Sequence, residues 1–147
     1  MREILFKAKQ IDNGEWIEGS LIDLDIDSGY CYIVQPYKKA SILPIIFLIT
    51  DRMKLVDPET LCQFTGLCDK NEKKIWENDI VLVIYENRYY EKKELITGRI
   101  VFIRGAWYIC GKVWNELYAI DEDAIFQVEI VGNIFDNPEL LQEESDE

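Results

Sequence analysis

The stretch QFTGLCDKNEKKIWENDIV, residues 63–81, contains a turn signal, a charged loop and the start of an apolar strand in direct succession. Gly66 suits a turn, the polar run 68–74 suits a chain reversal, and the apolar run that follows predicts a strand from about Ile75 to Tyr85. Because Gly, Asn and Asp at reversals usually serve backbone geometry, we interpret the stretch mainly as a turn that leads into a core strand. Carboxylates near a reversal can also bind cations, so the alternative is a site formed by three acids, Asp69, Glu77 and Asp79.

Further strands are predicted on both sides of this stretch. The segments ILFKAKQI and EWIEGSLI flank Asp12–Gly14, whose residues tolerate positive φ, and this pattern predicts an antiparallel hairpin. Later strands are expected at Gly29–Pro36, at Ile42–Thr50, on both sides of a tight turn at Arg104–Gly105, and in QVEIVGNIF, residues 127–135. Strands at a spacing of roughly ten residues are typical of a small barrel or sandwich.

Two short helices are predicted by capping signals. Asp57-Pro58-Glu59 provides an N-cap, a first helical residue and an acid at the positive end of the helix dipole, so a helix is expected over residues 58 to about 64. Asn137-Pro138 repeats the signal and predicts a helix over residues 138 to about 142. No helical stretch has the length of a crossover connection, which argues against a parallel sheet. The expected fold class is therefore all-β, mainly strands with two short helices.

The net charge and the length of the apolar runs restrict the possible partners and the expected cellular location. The chain has 28 acidic against 16 basic residues, a formal net charge of −12, which argues against a surface that neutralises phosphates in bulk. The longest apolar run, Ile42–Thr50, has nine residues, whereas a membrane-spanning helix needs roughly 20. No export signal is visible in MREILFKAKQ, so we expect a cytoplasmic protein without a membrane partner. Its cysteines are expected to be reduced and buried: Cys31, Cys62, Cys68 and Cys110.

The sequence lacks the residues that common catalytic and metal sites require. Histidine is absent, which excludes nucleophiles activated by histidine and zinc sites built with imidazole. In DLDIDSG, residues 23–29, carboxylates alternate as in a calcium loop, but Gly29 falls at position seven and Val34 stands where a bidentate Glu is needed. Cys62 and Cys68 have no matching pair for zinc, and no glycine-rich phosphate loop is present. We predict no catalytic, cofactor-binding or metal-binding residue, and no cofactor.

Aromatic and arginine side chains are the remaining candidates for an interaction site. The segment YENRYYEKK, residues 85–93, holds Arg88, Tyr89 and Tyr90, and Trp107 and Trp114 follow on nearby segments. Tyr, Trp and Arg are enriched among the residues that anchor interfaces. Core packing is the alternative for the two tryptophans, since a small β protein buries most of its aromatic side chains. The two tyrosines lie in a charged loop and are expected to be exposed.

Two longer segments allow a resemblance to be stated. VDPETLCQFTGLCDKNEKKIWENDIV together with VEIVGNIFDNPELL resembles the YopX family, small proteins encoded by phages and prophages of bacteria, and MREILFKAKQIDNGEWIEGSLI is also similar to members of that family. Where the family usually has glycine, this chain has Glu72 and Asn78. Asn78 tolerates a left-handed backbone, whereas Glu72 is expected to change the geometry of its loop.

The resemblance implies an SH3-type barrel in the second half of the chain and a location in the cytoplasm of a bacterial host. It carries no biochemical activity with it. We expect an N-terminal β region over residues 1–56, the YopX-like barrel over residues 57–141, and an acidic tail over residues 142–147.

We expect the protein to be a non-enzymatic binding or assembly protein that self-associates through β-edge and aromatic contacts, with a host or phage protein as a further partner. One alternative is an acidic inhibitor, which would occupy a host nucleic-acid-binding protein by presenting carboxylates where phosphates would lie. The other is a barrel that binds nucleic acid directly. That function would rely on one basic cluster, Lys70, Lys73, Lys74, Arg88, Lys92 and Lys93, and seven acids share its span from Asp69 to Glu94.

Overall fold

The computed structural model describes residues 2–25, 29–36, 52–87, 92–111, 117–119 and 127–142. Within these ranges the chain forms eleven strands and two short 3-10 helices. It divides into two compact units, Met1–Phe64 and Thr65–Glu147. The predicted all-β class is confirmed, whereas the predicted domain boundaries at residues 56 and 141 stay predictions.

The first unit is a meander of four strands to which a fifth strand returns. Its strands are β1 (Phe6–Lys9), β2 (Trp16–Asp25), β3 (Tyr30–Val34), β4 (Met53–Val56) and the start of β5 (Cys62–Cys68), in the spatial order β4-β3-β2-β1-β5. From Thr65 onward β5 belongs to the second unit. The β1–β2 hairpin turns through Gly14 at φ 69°, as predicted. All four strands of the meander contribute to a buried apolar core, which consists of Ala8, Ile17, Cys31, Ile33 and Val56.

The second unit contains a five-stranded antiparallel sheet. The strands that begin in this unit are β6 (Lys74–Trp76), β7 (Asp79–Asn87), β8 (Lys92–Ile103), β9 (Ala106–Gly111), β10 (Leu117–Ala119) and β11 (Val128–Asn133). β6 neighbours β5, and the other strands form the sheet in the order β10-β9-β8-β7-β11. Its core consists of Ile75, Val81, Val83, Ile100, Ile109 and Val128. Among the described residues no pairing joins β10 to β11, so the SH3-type barrel of this half stays a prediction.

The two units share one strand order. In the first, β1 to β4 form the meander and β5 pairs with β1. In the second, β7 to β10 form the meander and β11 pairs with β7. The same topology thus occurs twice in one chain, although the sequence shows no internal repeat, because strand order depends on long-range pairing rather than on a fixed residue pattern.

The predicted helix over residues 58–64 is shorter than expected. Asp57 does cap it, since its carboxylate accepts a hydrogen bond from the Glu59 N–H at 3.0 Å, but the 3-10 helix covers only Pro58–Thr60. The following residues belong to β5, and the Phe64 N–H donates to the Leu5 carbonyl at 2.9 Å. Pairing with β1 replaces the second helical turn, because so short a helix has little stability of its own.

The strand predicted over residues 75–85 is divided in two. Asn78 adopts a left-handed backbone at φ 67° and turns the chain between β6 and β7. The second predicted helix is present as a 3-10 helix at Pro138–Leu141, and the predicted turn at Arg104–Gly105 joins β8 to β9. The predicted strand at Ile42–Thr50 lies outside the described residues.

Candidate functional site

The predicted interaction residues are unequally covered by the structure. Arg88, Tyr89, Tyr90 and Trp114 lie outside the described residues, so their role stays a prediction. Trp107 lies on β9, half-buried, and packs against the core of the second unit. Its ring centroid is 4.9 Å from that of Phe102, with the planes tilted by 57°. Trp107 therefore has a packing role in its own unit, and Phe102 is the more exposed partner, at 54%.

The acids of the stretch 63–81 have structural partners. The Asp69 side chain is only 5% exposed and accepts three hydrogen bonds from backbone N–H groups. Two come from its own loop, from Asn71 and Lys73 at 2.9 Å, and close the reversal. The third comes from Ile130 on β11, at 3.1 Å and 61 residues away in sequence. Asp69 thus fixes the loop and attaches it to β11.

The environment of Asp69 favours its charged form. Burial alone would raise its pKa, but the hydrogen bonds from the Ile130, Lys73 and Asn71 N–H groups and the positive charge of Lys73 outweigh burial. The pKa of Asp69 is therefore below its usual value. A carboxylate with three backbone donors is an anchor for the chain rather than a free ligand for a cation.

Asp79 has a similar role, and it does not combine with Asp69 and Glu77 into a cation site. Asp79 is buried, and its carboxylate accepts a hydrogen bond from the Trp76 N–H at 2.8 Å, across the turn at Asn78. Across the described ranges, no group of three acid or cysteine side chains is placed to hold a metal ion. The structure therefore favours the interpretation that this stretch specifies turns and strands.

Glu72 has an unusual backbone conformation for a residue with a side chain. It adopts a left-handed backbone at φ 63°, the conformation that the glycine usual in the family would adopt freely. The loop thus has a glycine-like backbone at this residue in spite of the substitution, at a cost of roughly 1 kcal/mol. Within the same loop the Glu72 N–H donates to the Asp69 carbonyl at 3.0 Å. The expected change of loop geometry relative to family members with glycine stays a prediction.

The outer edge of β11 is covered along its length. Lys70 donates its N–H to the Val128 carbonyl at 3.0 Å, and its Nζ lies 2.7 Å from a carboxylate oxygen of Glu129. At the other end, Asn137 accepts a hydrogen bond from the Asn133 N–H at 3.3 Å. With Asp69 bound to the Ile130 N–H, this strand offers little free backbone to a further strand. The predicted β-edge contact is therefore not favoured at β11.

An exposed apolar pair lies on the β7–β8 ladder, separated by three residue pairs from residues 88–91. Ile84 on β7 and Leu95 on β8 are directly opposite each other in the register and are 46% and 66% exposed. Residues 88–91 connect these two strands. Sequence analysis missed the pair, although β7 contains apolar residues at consecutive positions, which indicates apolar side chains on both faces of the sheet.

The cysteines are free thiols, and two of them differ from their predicted burial. Cys31 and Cys62 are buried, Cys110 is half-buried, and Cys68 is exposed at the end of β5. Burial raises the pKa of the Cys31 thiol, and the nearby charges of Asp23 and Asp57 raise it further.

In the portion of the chain that the structure describes, no helix is long and apolar enough to cross a membrane.

Comparisons with known proteins agree with the resemblance noted from the sequence. The sequence profile of the YopX family, described as YopX protein, matches residues 5–142. The crystal structure of protein EF1440 from Enterococcus faecalis is similar, with a TM-score of 0.57 and 22% sequence identity over 97% of this chain and 100% of that one. At this identity the likeness concerns the fold alone. No curated protein sequence matches the chain.

Proposed function

We propose that this chain, which belongs to the YopX family, is a non-enzymatic binding or assembly protein that self-associates in the bacterial cytoplasm. In this proposal it derives from a phage or prophage, and its second unit is an SH3-type barrel. The observation that carries the proposal is the exposed pair Ile84 and Leu95 on neighbouring strands, whose connecting residues include Arg88, Tyr89 and Tyr90.

Single exposed apolar side chains are common on protein surfaces and need no explanation. Ile84 and Leu95 differ because they are opposite each other on neighbouring strands, so they form one continuous apolar area. The residues that connect β7 to β8 include two tyrosines and an arginine, the residue types that anchor interfaces. The exposed pair supports a contact surface, which we name the loop-base surface and define as Ile84 and Leu95; a contribution of residues 88–90 to it stays a prediction.

At β11 and β4 the available backbone favours a contact through this face over a contact through the strand edge. The outer edge of β11 is covered by Asp69, Lys70 and Asn137, as described above. In the first unit, the Ile11 N–H donates to the Leu55 carbonyl of β4 at 3.1 Å. Strand addition at these edges would have to break existing hydrogen bonds, whereas a face contact only removes water from apolar side chains.

The nucleic-acid alternative has no comparable support in the described ranges. Lys70 belongs to the basic cluster that direct nucleic-acid binding would use, and it is paired with Glu129 at 2.7 Å. Lys73 lies close enough to Asp69 to lower the pKa of that acid. Acids of the same unit partly neutralise these two cations, which weakens their attraction for the phosphate groups of a nucleic acid.

The proposal is tested by measuring oligomer mass with light scattering after gel filtration. We expect the parent to self-associate and Leu95→Lys to have a lower mass at the same protein concentration, because a charged side chain would be desolvated at the contact. The matched control is Ile4→Lys in the first unit, where the replaced side chain is 63% exposed, close to the 66% of Leu95. Circular dichroism checks that both variants fold.

A second variant, Tyr89→Ala with Tyr90→Ala, tests the loop itself. Lowered mass with an unchanged fold supports the contact role of the tyrosines. The proposal is refuted by a parent that stays monomeric at high concentration, or by a Leu95→Lys variant whose mass equals that of the parent and of Ile4→Lys.

A further inference from the structure

Within the described residues, the outer edge of β11 is covered by a short loop rather than by a strand. β7 pairs with one side of β11, and residues 69–73, named here the guard loop, bind the other side. The Lys70 N–H donates to the Val128 carbonyl at 3.0 Å, and the Asp69 carboxylate accepts from the Ile130 N–H at 3.1 Å. A side-chain oxygen thus takes the place that the backbone carbonyl of an added strand would have.

The two covered groups lie on either side of Glu129 in sequence, which is the pattern that one added strand would use. In an antiparallel pair, opposite residues that are not hydrogen-bonded to each other have the closer side chains, and the residues on either side of them make the hydrogen bonds. A strand whose central residue lies opposite Glu129 would therefore accept from the Ile130 N–H and donate to the Val128 carbonyl. These are the two groups that the guard loop occupies.

The guard loop also indicates which side chain this edge would select. Lys70 Nζ lies 2.7 Å from a carboxylate oxygen of Glu129, so a cation is already bound at this acid. A strand that displaces Lys70 needs a lysine or arginine at its central position to replace that ion pair. The residues before and after the central one would share the face of Val128 and Ile130, which pack in the core of the unit, so apolar side chains suit both positions.

The guard loop can be displaced without breaking the pairing of β11 with β7, because β7 binds the opposite side of the strand. Lys70, Asn71 and Glu72 are all exposed. Glu72 also has a left-handed backbone at φ 63°, which disfavours a residue with a side chain. The backbone of this loop is therefore less strongly held than a paired strand of the sheet.

A second copy of β11 is a poor occupant of this edge. In the same register, the two Glu129 carboxylates would lie opposite each other, and like charges in that position are destabilising. The net charge of −12 on each chain adds to the repulsion. The same net charge attracts a basic segment.

We propose that the outer edge of β11 at residues 128–130 binds an extended basic segment of another protein, and that the guard loop is an autoinhibitory contact which this segment displaces. The segment carries a lysine or arginine between two apolar residues and adds to the sheet as an antiparallel strand. The site does not depend on the loop-base surface, because Ile84 and Leu95 lie on β7 and β8.

The test is a nuclear magnetic resonance titration with a blocked synthetic peptide, Thr-Val-Lys-Val-Thr, and with a control peptide that has glutamate in place of lysine. Asp69→Asn opens the site, because an amide has one acceptor oxygen and cannot hold both the loop and Ile130. We expect the lysine peptide to shift the backbone N–H signals of residues 128–130. It should bind Asp69→Asn about tenfold more tightly than the parent, the factor that corresponds to about one net hydrogen bond.

The matched control for this variant is Asp57→Asn. The Asp57 carboxylate also accepts a backbone hydrogen bond, from the Glu59 N–H at 3.0 Å, but it lies in the first unit. We expect Asp57→Asn to bind the lysine peptide as the parent does. Circular dichroism checks that each variant folds.

A second variant, Lys70→Ala, keeps the backbone of the guard loop and removes only the cation from Glu129, so it serves if Asp69→Asn does not fold. We expect it to bind the lysine peptide more tightly than the parent, whereas Lys54→Ala, at an exposed lysine of β4, should not.

Three results overturn the proposal: equal binding of the lysine and glutamate peptides, no tighter binding by either variant than by the parent, or shifted signals confined to residues outside 69–73 and 128–130. A higher oligomer mass of Asp69→Asn without peptide, measured by light scattering, overturns it in favour of a second copy at this edge.

Discussion

Replacing Asp69 with alanine is expected to destabilise the protein more than replacing any exposed acid with alanine. The carboxylate is 5% exposed and accepts hydrogen bonds from Asn71, Lys73 and Ile130. In Asp69→Ala, the N–H groups of the exposed residues Asn71 and Lys73 can bond to water, so each loss costs about 0.5–1.5 kcal/mol. The N–H group of the half-buried Ile130, on β11, loses the Asp69 carboxylate as its acceptor, which costs about 1–3 kcal/mol.

The sum is a loss of about 2–6 kcal/mol in the free energy of unfolding, a large part of the 5–15 kcal/mol that is typical of whole proteins. Urea denaturation followed by circular dichroism measures it. The matched control is Asp136→Ala, since Asp136 is exposed and its carboxylate accepts a hydrogen bond from the Asn133 side-chain amide at 3.0 Å. We expect this change to stay within about 0.5 kcal/mol.

Asp69→Asn distinguishes the hydrogen bonds within the loop from the hydrogen bond to Ile130 on β11. An amide has one acceptor oxygen, so it retains either the loop bonds or the bond to Ile130 but not both. We expect an intermediate loss of stability. An Asp69→Ala variant that is no less stable than Asp136→Ala would refute the conclusion that this carboxylate ties the loop to β11.

Two further predictions concern the same loop. Because the pKa of Asp69 is lowered in the folded protein, the stability that its charge contributes is complete above the unfolded pKa of about 3.9 and is lost as pH falls through the folded pKa. In urea denaturation below about pH 4, the difference in the free energy of unfolding between the parent and Asp69→Asn should therefore become smaller. A difference that stays constant with pH would contradict the direction of the pKa shift. Glu72 has φ 63°, so Glu72→Gly should raise the free energy of unfolding by about 0.5–1 kcal/mol. The control is Asn71→Gly, at a neighbouring exposed residue without a positive φ, which should not raise it. Equal effects of the two changes in urea denaturation would argue against backbone strain at Glu72.

Features that depend on a few neighbouring residues could be predicted from the sequence. The turns at Asp12–Gly14 and Arg104–Gly105 and the cap at Asp57 are all present. Each depends on φ preferences or on a side chain that reaches two residues along the chain, and such preferences act in any fold. The absence of histidine likewise excluded whole classes of chemistry without any structure.

Features that depend on pairing between distant residues appeared only in the tertiary structure. Residues 62–64 had a helical signal but form β5, because their backbone groups pair with β1 more than 50 residues earlier. The role of Asp69 depends on Ile130, and the exposed pair Ile84 and Leu95 depends on which face of the sheet covers the core. Local preferences are worth a few tenths of a kcal/mol to about 1 kcal/mol per residue, and burial and strand pairing summed over a unit exceed them. The sequence by itself thus determined the turns and the excluded chemistry, while strand order, edge protection and surface exposure were decided by which distant segments pair and pack.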